Sequence, residues 1–545
     1  MKNDLRRLHC TQAMENVDID TKLGSMSQIQ EFFKDSSVFI TGATGFLGHV
    51  LLSKLLRSCP DINKIYVLLR EKRGKTAIDR FKEMIEDEVF QVIKSECPDI
   101  LSKVTPIVGD CIKPGLGLSE VDRELIKKEV NVVFHVAATV RFDAPLRQAV
   151  NMNIRSTSDL LDLAVDMKNL KAFVHVSTAF SNCADRKIIE EKLYESPISS
   201  ENLMLLVDKL SDETLERITP GLLGTYPNTY VFTKCVAEEV CRSKGANLPL
   251  TIFRPAIVIS SAKEPIPGWI NNVYGPTGVV AAAAVGLLRS LHSDQNCKAN
   301  VVPCDYVVNA AIAAAWGVST KNRNGEIIHA NGGNGFNEDS LKSKVDDSKN
   351  IPIYNYSCDL LEKPFSWKEF CQSNEKHEPK MPSSLSIWAY NLTLNKNRYV
   401  HQICCFFLHL LPAFIVDNVA RLIGKEPKLM DAYQKLHKLA DVLSYFSTKE
   451  WDMKTDNVVN LWQRLSSKDR ELFSFDMNEL DWAHYWYIHC VGIRRFILKE
   501  DPTTIPAAQI RRRRFLIAQY LMIAVFTFSS LYLSFNILIK PKLSN

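Results

Sequence analysis

Short apolar runs alternate with segments of helical periodicity along the first two-thirds of the chain. Each run is apolar almost throughout, which is typical of a strand buried on both faces. Strands that alternate with helices predict an α/β fold, here a doubly wound parallel sheet that binds ligands at the carboxyl ends of its strands. The predicted strands cover residues 38–40, 64–69, 104–108, 130–136, 172–176 and 250–253.

Three glycines follow the first predicted strand at intervals of three residues. Gly42 permits the tight turn after the strand, Gly45 lets the backbone approach a pyrophosphate, and Gly48 lets the next helix pack closely on the strand. The N–H groups and the dipole at the start of that helix favour a phosphate. An ordinary strand-turn-helix is the alternative, but the flanking strand and helix supply the context of a dinucleotide site. The residues expected to bind the cofactor here are Thr41, Gly42, Thr44, Gly45, Phe46, Leu47 and Gly48.

The second predicted strand ends in cations. An acidic residue at this position binds the ribose 2′-hydroxyl of NAD, but this chain has Arg70, followed by Lys72 and Arg73. A guanidinium can bind a 2′-phosphate through paired N–H bonds, whereas a carboxylate repels it. We therefore predict NADPH as the cofactor; the alternative is that these residues are solvated loop cations.

The ends of later strands supply further candidate cofactor contacts. Asp110 follows the third strand, where folds of this kind bind the adenine amine, although an exposed loop carboxylate is the alternative. Ala137 and Ala138, after the fourth strand, are small enough for a cofactor to lie against, and Pro255 follows the sixth strand. His135 lies inside the fourth strand, so we predict a hydrogen-bonded core histidine rather than a catalyst.

Tyr230 and Lys234 form a Tyr-x-x-x-Lys pattern at the start of a predicted helix, which places both side chains on one face. A nearby ammonium is expected to lower the pKa of the phenol from about 10 towards neutrality. The phenol can then pass a proton to an alkoxide that develops as hydride arrives. The fifth strand ends in Ser177 and Thr178, of which we expect Thr178 to hold the substrate oxygen, with Ser177 the alternative. Asn153 is expected either to support the Tyr/Lys pair through a bound water or to serve at a helix N-terminus.

Charge and cysteine content exclude several classes of function. The 545-residue chain has a net charge of +5, but four of its 67 lysines and arginines form the run 511–514. Without that run the cations exceed the 62 acidic residues by only one, so we expect no nucleic acid partner. The 14 cysteines have neither a C-x-x-C pair nor zinc-site spacing, and we therefore predict reduced, mostly buried thiols and no metal site.

An uncharged and mostly apolar segment at 515–538 is long enough to cross a bilayer with some tilt. The basic run before it places that side in the cytosol by the positive-inside rule. Because the segment contains three serines and an asparagine, a buried helix is the alternative. The first thirty residues lack an apolar core, so we expect no secretory signal. A shorter apolar run at 403–416 is expected either to touch the membrane as an interfacial face or to form a buried helix.

Together these residues resemble the extended short-chain dehydrogenase/reductases, and longer stretches narrow the resemblance to the fatty acyl-CoA reductase family. Those stretches are LLRSCPDI at 55–62, YPNTY at 226–230, EPIPGW at 264–269, NVYGPTG at 272–278, DYVVN at 305–309, LIGK at 422–425 and TKEW at 448–451. The resemblance covers roughly residues 30–500. It implies a polar extension over 1–30, a Rossmann-like NADP-binding reductase domain with substrate-site insertions over 31–383, a helical C-terminal domain over 384–500, a basic linker over 501–514 and a transmembrane helix over 515–538. The polar stretch 320–350 is predicted to be a loop insertion.

The resemblance implies NADPH-dependent reduction of a long-chain fatty acyl-CoA to a primary alcohol, through a hemithioacetal and an aldehyde. Tyr230 is then the proton donor, Lys234 sets its pKa and binds the ribose, and Thr178 binds the oxyanion. A reductase that stops at the aldehyde or acts on a sterol or sugar nucleotide is one alternative, and a non-catalytic NADP-binding membrane protein is another. The expected partners are the acyl-CoA and a lipid membrane, reached through the C-terminal helix. A homodimer and the choice between endoplasmic reticulum and peroxisome stay open.

Overall fold

The computed structural model describes residues 27–72, 74–324 and 351–535. The predicted N-terminal extension up to residue 26, Arg73, the predicted loop over 325–350 and the predicted transmembrane segment beyond residue 535 lie outside the described residues. Residues 320–324, which the sequence analysis assigns to that loop, instead end the helix Cys304–Asn324. That part of the prediction is wrong because polar residues suit the last turn of a helix as well as a loop.

The described part of the chain is built around a parallel sheet of seven strands. Its strands are β1 (Ser37–Thr41), β2 (Lys64–Leu69), β3 (Val104–Val108), β4 (Val130–His135), β5 (Ala172–Val176), β6 (Leu250–Pro255) and β7 (Ile353–Tyr356). Their spatial order is β3-β2-β1-β4-β5-β6-β7, and every neighbouring pair is parallel. The strand order reverses between β1 and β4, which is where sheets of this kind bind their ligands. The predicted doubly wound sheet is confirmed.

All six predicted strands are present, but the sequence analysis missed β7. The four residues of β7 are buried, and Asn355 interrupts their apolar pattern. The side-chain amide of Asn355 donates to the backbone carbonyls of Ile189 and Lys454, which satisfies a polar group inside the fold. β6 extends beyond its predicted end to Pro255, which still pairs with Tyr356.

Helices cover both faces of the sheet. They are α1 (Gln28–Phe33), α2 (Phe46–Ser58), α3 (Ala77–Ile85), α4 (Glu88–Glu96), α5 (Glu120–Glu129), α6 (Leu146–Val150), α7 (Ser156–Val165), α8 (Ser200–Lys209), α9 (Asp212–Leu223), α10 (Thr229–Gly245), α11 (Pro276–Ala284) and α12 (Cys304–Asn324). Val38 and Ile40 of β1 belong to one hydrophobic core, and Phe39 belongs to the other. Both faces of the strand are therefore buried, as its unbroken apolar run predicts.

The C-terminal helices share one of the two large hydrophobic cores with the central sheet. They are α13 (Trp367–His377), α14 (Arg398–Cys405), α15 (Leu411–Leu422), α16 (Leu429–Ser447), α17 (Asp456–Arg464), α18 (Ser467–Leu472), α19 (Trp482–Gly492) and α20 (Ile505–Ser534). Phe446, Trp451 and Trp486 lie in the same core as Val38. Short parallel strand pairs attach this region to the rest of the fold: Ser290–His292 with Thr393–Asn395, and Ile188–Ile189 with Asp452–Met453; a further pair joins Ile257–Ile259 to Val301–Pro303.

Two helical segments of the described residues are long and apolar enough to cross a membrane, by length and composition. The first, Arg398–Leu422, consists of α14, a π-helical turn at Phe406–Leu410 and α15. Only 22% of its apolar window is buried, so the buried-helix alternative for residues 403–416 is wrong. The second, Pro502–Ser534, contains α20, and none of its window is buried. A buried helix is therefore also excluded for the described part of the C-terminal segment.

Candidate active site and cofactor site

The three glycines after β1 form the predicted turn into α2. Gly42 has a φ of +81°, and a Cβ there would lie 2.7 Å from the amide nitrogen of Ala137. A Cβ on Gly48 would lie 2.1 Å from the carbonyl oxygen of Gly42, so only glycine fits between α2 and the turn. Gly45 is the N-cap of α2 and no side chain caps this helix. The first backbone N–H groups of α2 are therefore available to an anionic ligand, as a pyrophosphate site requires.

Thr41 ends β1, but its side chain is used within the fold. Its Oγ1 lies 2.8 Å from Nδ1 of His135 and accepts a hydrogen bond from the amide of Ala137 at 3.3 Å. The Nε2 of His135 lies 3.1 Å from Oγ1 of Thr157, and burial lowers the pKa of this histidine to about 3. His135 is thus a neutral, hydrogen-bonded core histidine, which confirms the prediction. A cofactor contact by Thr41 stays a prediction.

Two arginines meet at the corner between β2 and the glycine turn. Arg80, on α3, donates to the carbonyl of Arg70 at 2.7 Å and to Oγ1 of Thr44 at 3.1 Å. Burial, and next the charge of Arg70, lower the pKa of Arg80. An anion bound here would face two guanidinium groups and one hydroxyl. Arg80 is not among the residues predicted from the sequence, although its position in the helix after a basic loop is a signal for such a site.

The remaining predicted cofactor contacts lie at the same edge of the sheet. Asp110 follows β3, where its Oδ2 is 3.6 Å from Nη1 of Arg70 and its Oδ1 accepts the amide of Ile112. Ala137 and Ala138 follow β4, and the carbonyl of Pro255 at the end of β6 accepts the amide of Ala179 at 2.9 Å. Phe46 stacks on Trp269 with ring centroids 5.6 Å apart. These residues thus lie along the carboxyl edge of the sheet, and their contacts with a cofactor stay predictions.

Tyr230 and Thr178 come together where α10 meets the end of β5. The amide of Val231 donates to the side chain of Asn228, which caps α10 and fixes the first turn that carries Tyr230. The side chain of Thr178 lies beside the Tyr230 phenol and acts to lower its pKa. The hydroxyl of Ser177 instead donates to Oε1 of Glu238 at 2.6 Å. Of the two alternatives at this strand end, Thr178 therefore faces the phenol and Ser177 faces the core.

The predicted direction of the Tyr230 pKa is wrong. Burial raises the pKa of this phenol to about 12, and the nearby Thr178 side chain opposes that shift only in part. Lys234 lies on the same face of α10, but its Nζ donates to the carbonyl of Val176 at 2.7 Å. Burial lowers the pKa of Lys234 to about 8. Loss of solvation is the largest cause of this shift, and the Lys234 ammonium does not offset it. Tyr230 therefore keeps its proton at neutral pH.

Asn153 connects the loop after β4 to α10. It lies in a π-helical turn, Asn151–Arg155, between α6 and α7, and is 1% exposed. Its Oδ1 accepts the amide of Thr139 at 2.9 Å, and its Nδ2 donates to Oγ1 of Thr233 at 2.9 Å. The alternative of a helix N-terminal position is wrong, because helical residues precede Asn153. π-helical turns often mark functional sites, and the water bridge to the Tyr/Lys pair stays a prediction.

An aromatic wall extends from Tyr230 into the C-terminal helices. The ring of Phe142 lies 5.8 Å from that of Tyr230 and 5.6 Å from that of Phe446 on α16. Phe180, two residues after Thr178, packs edge-on against Phe446 at 5.1 Å. Phe446 also lines a small, almost wholly apolar cavity of about 30 Å³. It is lined by Ile257, Pro276, Val279, Leu291, Ser293, Trp367, Phe370, Cys371, Leu394, Leu443, Phe446 and Ser447.

A second cluster of polar side chains lies away from this site. Cys405, His409 and His437 bring potential metal-ligating atoms within 4.8 Å of one another. The amide of Arg289 donates to Nε2 of His409 at 3.0 Å, which assigns the ring proton to Nδ1. That nitrogen lies 3.0 Å from Nε2 of His437, which accepts it. Hydrogen bonds thus account for these facing imidazole nitrogens, and the absence of a metal site stays a prediction.

Comparison with known proteins gives concordant matches. A family model described as "Male sterility protein" matches residues 40–311, and a second with the same description matches residues 408–500. Fatty acyl-CoA reductase wat of Drosophila melanogaster is 40% identical over 500 residues, which is 92% of this chain and 91% of the relative. Fatty acyl-CoA reductase 1 of Homo sapiens is 38% identical over 484 residues, 89% of each chain. The reductase domain of a non-ribosomal peptide synthetase from Mycobacterium tuberculosis has a TM-score of 0.52 at 16% identity, covering 88% of this chain and 97% of that one, and so shares the fold.

Proposed function

The chain belongs to the fatty acyl-CoA reductase family, and on this premise we propose that it reduces a long-chain fatty acyl-CoA to a primary alcohol with NADPH. The observation that carries the proposal is the position of Thr178, at the end of β5, beside the buried Tyr230 phenol, whose ring contacts Phe142. β5 pairs with β4, and β4 pairs with β1, the strand that leads into the glycine turn. β1, β4 and β5 are adjacent in the sheet, so their ends form one continuous site.

Tyr230 is the proton donor in this proposal. A bound reduced nicotinamide supplies hydride to the carbonyl carbon of the substrate. The phenol, which is protonated at neutral pH because burial raises its pKa to about 12, gives its proton to the oxygen on which negative charge develops. The hydroxyl of Thr178 donates to that same oxygen and holds it beside the phenol. The Nζ of Lys234 donates to the carbonyl of Val176, which fixes a positive charge at the end of β5.

The stoichiometry follows from oxidation levels. A thioester lies two hydrides above a primary alcohol, so the reaction consumes two reduced cofactors. The first reduction gives a hemithioacetal, which expels the coenzyme A thiolate and leaves an aldehyde. The second reduction converts the aldehyde carbonyl to the alcohol, and the phenol of Tyr230 can protonate the oxygen each time, provided that it is reprotonated between the two steps.

Phe446 leads from the Tyr230 ring towards a small apolar cavity, which marks the path that we propose for the acyl chain. Phe142 and Phe446 link this cavity to the Tyr230 ring. Burial of a long hydrocarbon chain contributes roughly 0.8 kcal/mol for each methylene removed from water. We therefore propose that the thioester lies at Tyr230 while its chain passes between the sheet and α16.

Product analysis tests the function directly. The full chain in its membrane fraction is incubated with NADPH and acyl-CoAs of increasing length, and alcohol, aldehyde and oxidised cofactor are quantified. We expect the primary alcohol, with two NADPH oxidised for each alcohol formed. Accumulated aldehyde at one NADPH each would support a reductase that stops early, and NADPH oxidation that does not depend on acyl-CoA would count against the whole proposal.

The arginine pair is proposed to select NADPH by binding its 2′-phosphate. We expect Arg80→Ala to raise the KM for NADPH by about 10–100-fold, because a charge-assisted hydrogen bond contributes about 1.5–3 kcal/mol. The KM for NADH should change little, since NADH has no 2′-phosphate. Initial rates with each cofactor measure the two constants. Lys82→Ala, an exposed cation on the same helix, is the control, and an equal loss with both cofactors would refute the assignment.

The C-terminal helix is proposed to anchor the protein, with the catalytic domain in the cytosol and the membrane that of the endoplasmic reticulum or the peroxisome. Arg511 donates to the carbonyl of Ser386 at 2.7 Å, and Arg512 forms an ion pair with Glu378 at 2.8 Å. Further along α20, Gln519 accepts a hydrogen bond from Nε1 of Trp388 at 3.0 Å. These contacts support an anchor that leaves the folded body at a fixed place, with the basic run on the cytosolic side.

A further inference from the structure

The segment Arg398–Leu422 presents an apolar surface to its surroundings. Eight large apolar side chains, which we call the outward face, are each at least 50% exposed. They are Ile403, Phe406, Phe407, Phe414, Ile415, Val416, Val419 and Leu422. Isolated exposed apolar residues are common, but a continuous set of this kind on one helical segment marks an interaction site.

The opposite side of this segment is buried and largely polar. Its buried residues recur at every fourth position: His401, Cys405, His409, Ala413 and Asp417. His401 lies 2.9 Å from Oγ of Ser290, and Nε2 of His409 accepts the amide of Arg289. Asp417 accepts the backbone N–H groups of residues 428, 429 and 430, where α16 begins. The polar stripe is therefore satisfied by the body of the protein along the whole length of the segment.

This distribution is the reverse of that on a helix that faces water. A helix at an aqueous surface buries its apolar stripe and exposes its polar one. Here polar groups are buried and hydrogen-bonded, while phenylalanine, isoleucine, valine and leucine point outwards. We propose that the outward face lies in the plane of a lipid bilayer, as a second membrane contact beside the C-terminal helix.

The segment lies on the membrane rather than across it in this proposal. Contacts of His401, His409 and Asp417 attach its start, middle and end to the body, so it cannot cross a bilayer without breaking them. Exposed cations at its C-terminal end, Arg421 and Lys425, suit lipid headgroups. A monotopic helix of this kind buries its apolar face at the boundary between headgroups and acyl chains.

Continuity with α20 favours a bilayer over another occupant. The ring of Trp388 lies 5.7 Å from that of Phe515 on α20, centroid to centroid. The guanidinium carbon of Arg289 lies over the Trp388 ring, 5.7 Å from its centroid. The amide of Arg289 in turn holds His409. The base of α20 and the middle of the outward-facing segment are thus joined through two residues. A membrane that takes α20 therefore lies beside the outward face.

Lipid photolabelling of the full chain tests the proposal without relying on catalysis. The protein is reconstituted in phosphatidylcholine vesicles that contain a phospholipid with a photoreactive diazirine in its acyl chain. After irradiation, mass spectrometry locates the labelled peptides. We expect label on residues 403–419 as well as on α20, and none on α8, whose exposed Leu205 (55%) provides a matched apolar side chain.

A pair of variants shows whether the outward face itself is responsible. Phe407→Asp with Phe414→Asp replaces two side chains that are each 58% exposed, so folding should be retained, which NADPH binding can verify. We expect labelling of residues 403–419 to fall to the level of α8 while that of α20 persists; Leu205→Asp should change neither. Label confined to α20 in the unmodified chain would overturn the proposal. Crosslinks between two copies at residues 403–419, without lipid label there, would overturn it in favour of a dimer surface.

Discussion

Replacing Tyr230 by phenylalanine is expected to lower kcat for acyl-CoA reduction by about 10²–10⁴, the usual effect of losing a general acid. The phenol carries its proton at neutral pH, because burial raises its pKa to about 12. The Thr178 hydroxyl can still bind the substrate oxygen, but it is a much weaker acid and has no equivalent proton to give. The KM for NADPH should stay close to that of the unmodified chain if the phenol acts only in the chemical step. Steady-state rates with acyl-CoA and NADPH, with alcohol quantified as product, measure both constants.

Tyr226→Phe is the matched control for this variant. Tyr226 lies just before α10, and its hydroxyl donates to Sγ of Cys235 at 3.1 Å, away from Thr178. Removing this hydroxyl deletes one phenolic hydrogen bond from the same region without touching the reacting oxygen, so kcat should be retained. Near-normal alcohol output from Tyr230→Phe, or equal losses in the two variants, would show that Tyr230 is not the proton donor.

Helix α10 shows what sequence spacing can and cannot predict. Four-residue spacing correctly places Tyr230 and Lys234 on one helical face, because helix geometry is local. It does not predict that Nζ of Lys234 bonds to the Val176 carbonyl, or that the phenol is desolvated by rings such as Phe142. Both are tertiary contacts, and they reverse the direction in which the pKa of the phenol shifts.

The same distinction applies to the rest of the candidate site. Glycines before a helix are a local signal, and the turn at Gly42 forms as predicted. Arg80 joins the site only because α3 folds back over the loop after β2. Phe446 reaches the Tyr230 wall from more than two hundred residues further along the chain, and no local pattern connects those positions.

Unbroken apolar runs are sufficient to predict the strands of this fold, whereas an apolar run that a polar residue interrupts is not. β2 and β5 have their predicted bounds because a strand buried on both faces needs apolar side chains throughout. β3 also has its predicted bounds, although it lies at the edge of the sheet and its Val108 is 49% exposed. The sequence pattern does not predict β7, because the polar Asn355 interrupts its apolar run. The hydrogen-bond partners that allow Asn355 to be buried, Ile189 and Lys454, are far away in the sequence. The apolar run at 403–416 can be recognised from the sequence, but its exposure cannot. Exposure depends on tertiary contacts, which here bury the side of the helix that carries His401, His409 and Asp417.

The buried ion pair between Glu238 and Arg254 should carry the largest effect on stability. Nε and Nη2 of Arg254 donate to the two carboxylate oxygens at 2.9 and 2.6 Å, and both side chains are nearly inaccessible. The carboxylate also accepts the hydroxyls of Ser177 and Ser181. Glu238→Gln leaves the guanidinium charge buried without a counter-charge, which typically costs about 3–5 kcal/mol. Denaturant titration of the full chain in detergent, followed by tryptophan fluorescence, measures the free energy of unfolding.

Two further variants separate this buried charge from general damage to α10. Lys244, on the same helix, pairs with Asp162 at 2.7 Å at the surface, so Lys244→Met should cost no more than about 1 kcal/mol, the usual range for an exposed pair. Arg254→Met combined with Glu238→Gln removes both buried charges and should destabilise less than the sum of the two single changes. A double variant whose loss equals that sum would mean that the charges do not interact. Glu238 would then stabilise the strand ends through its hydrogen bonds to Ser177, Ser181 and Asn182.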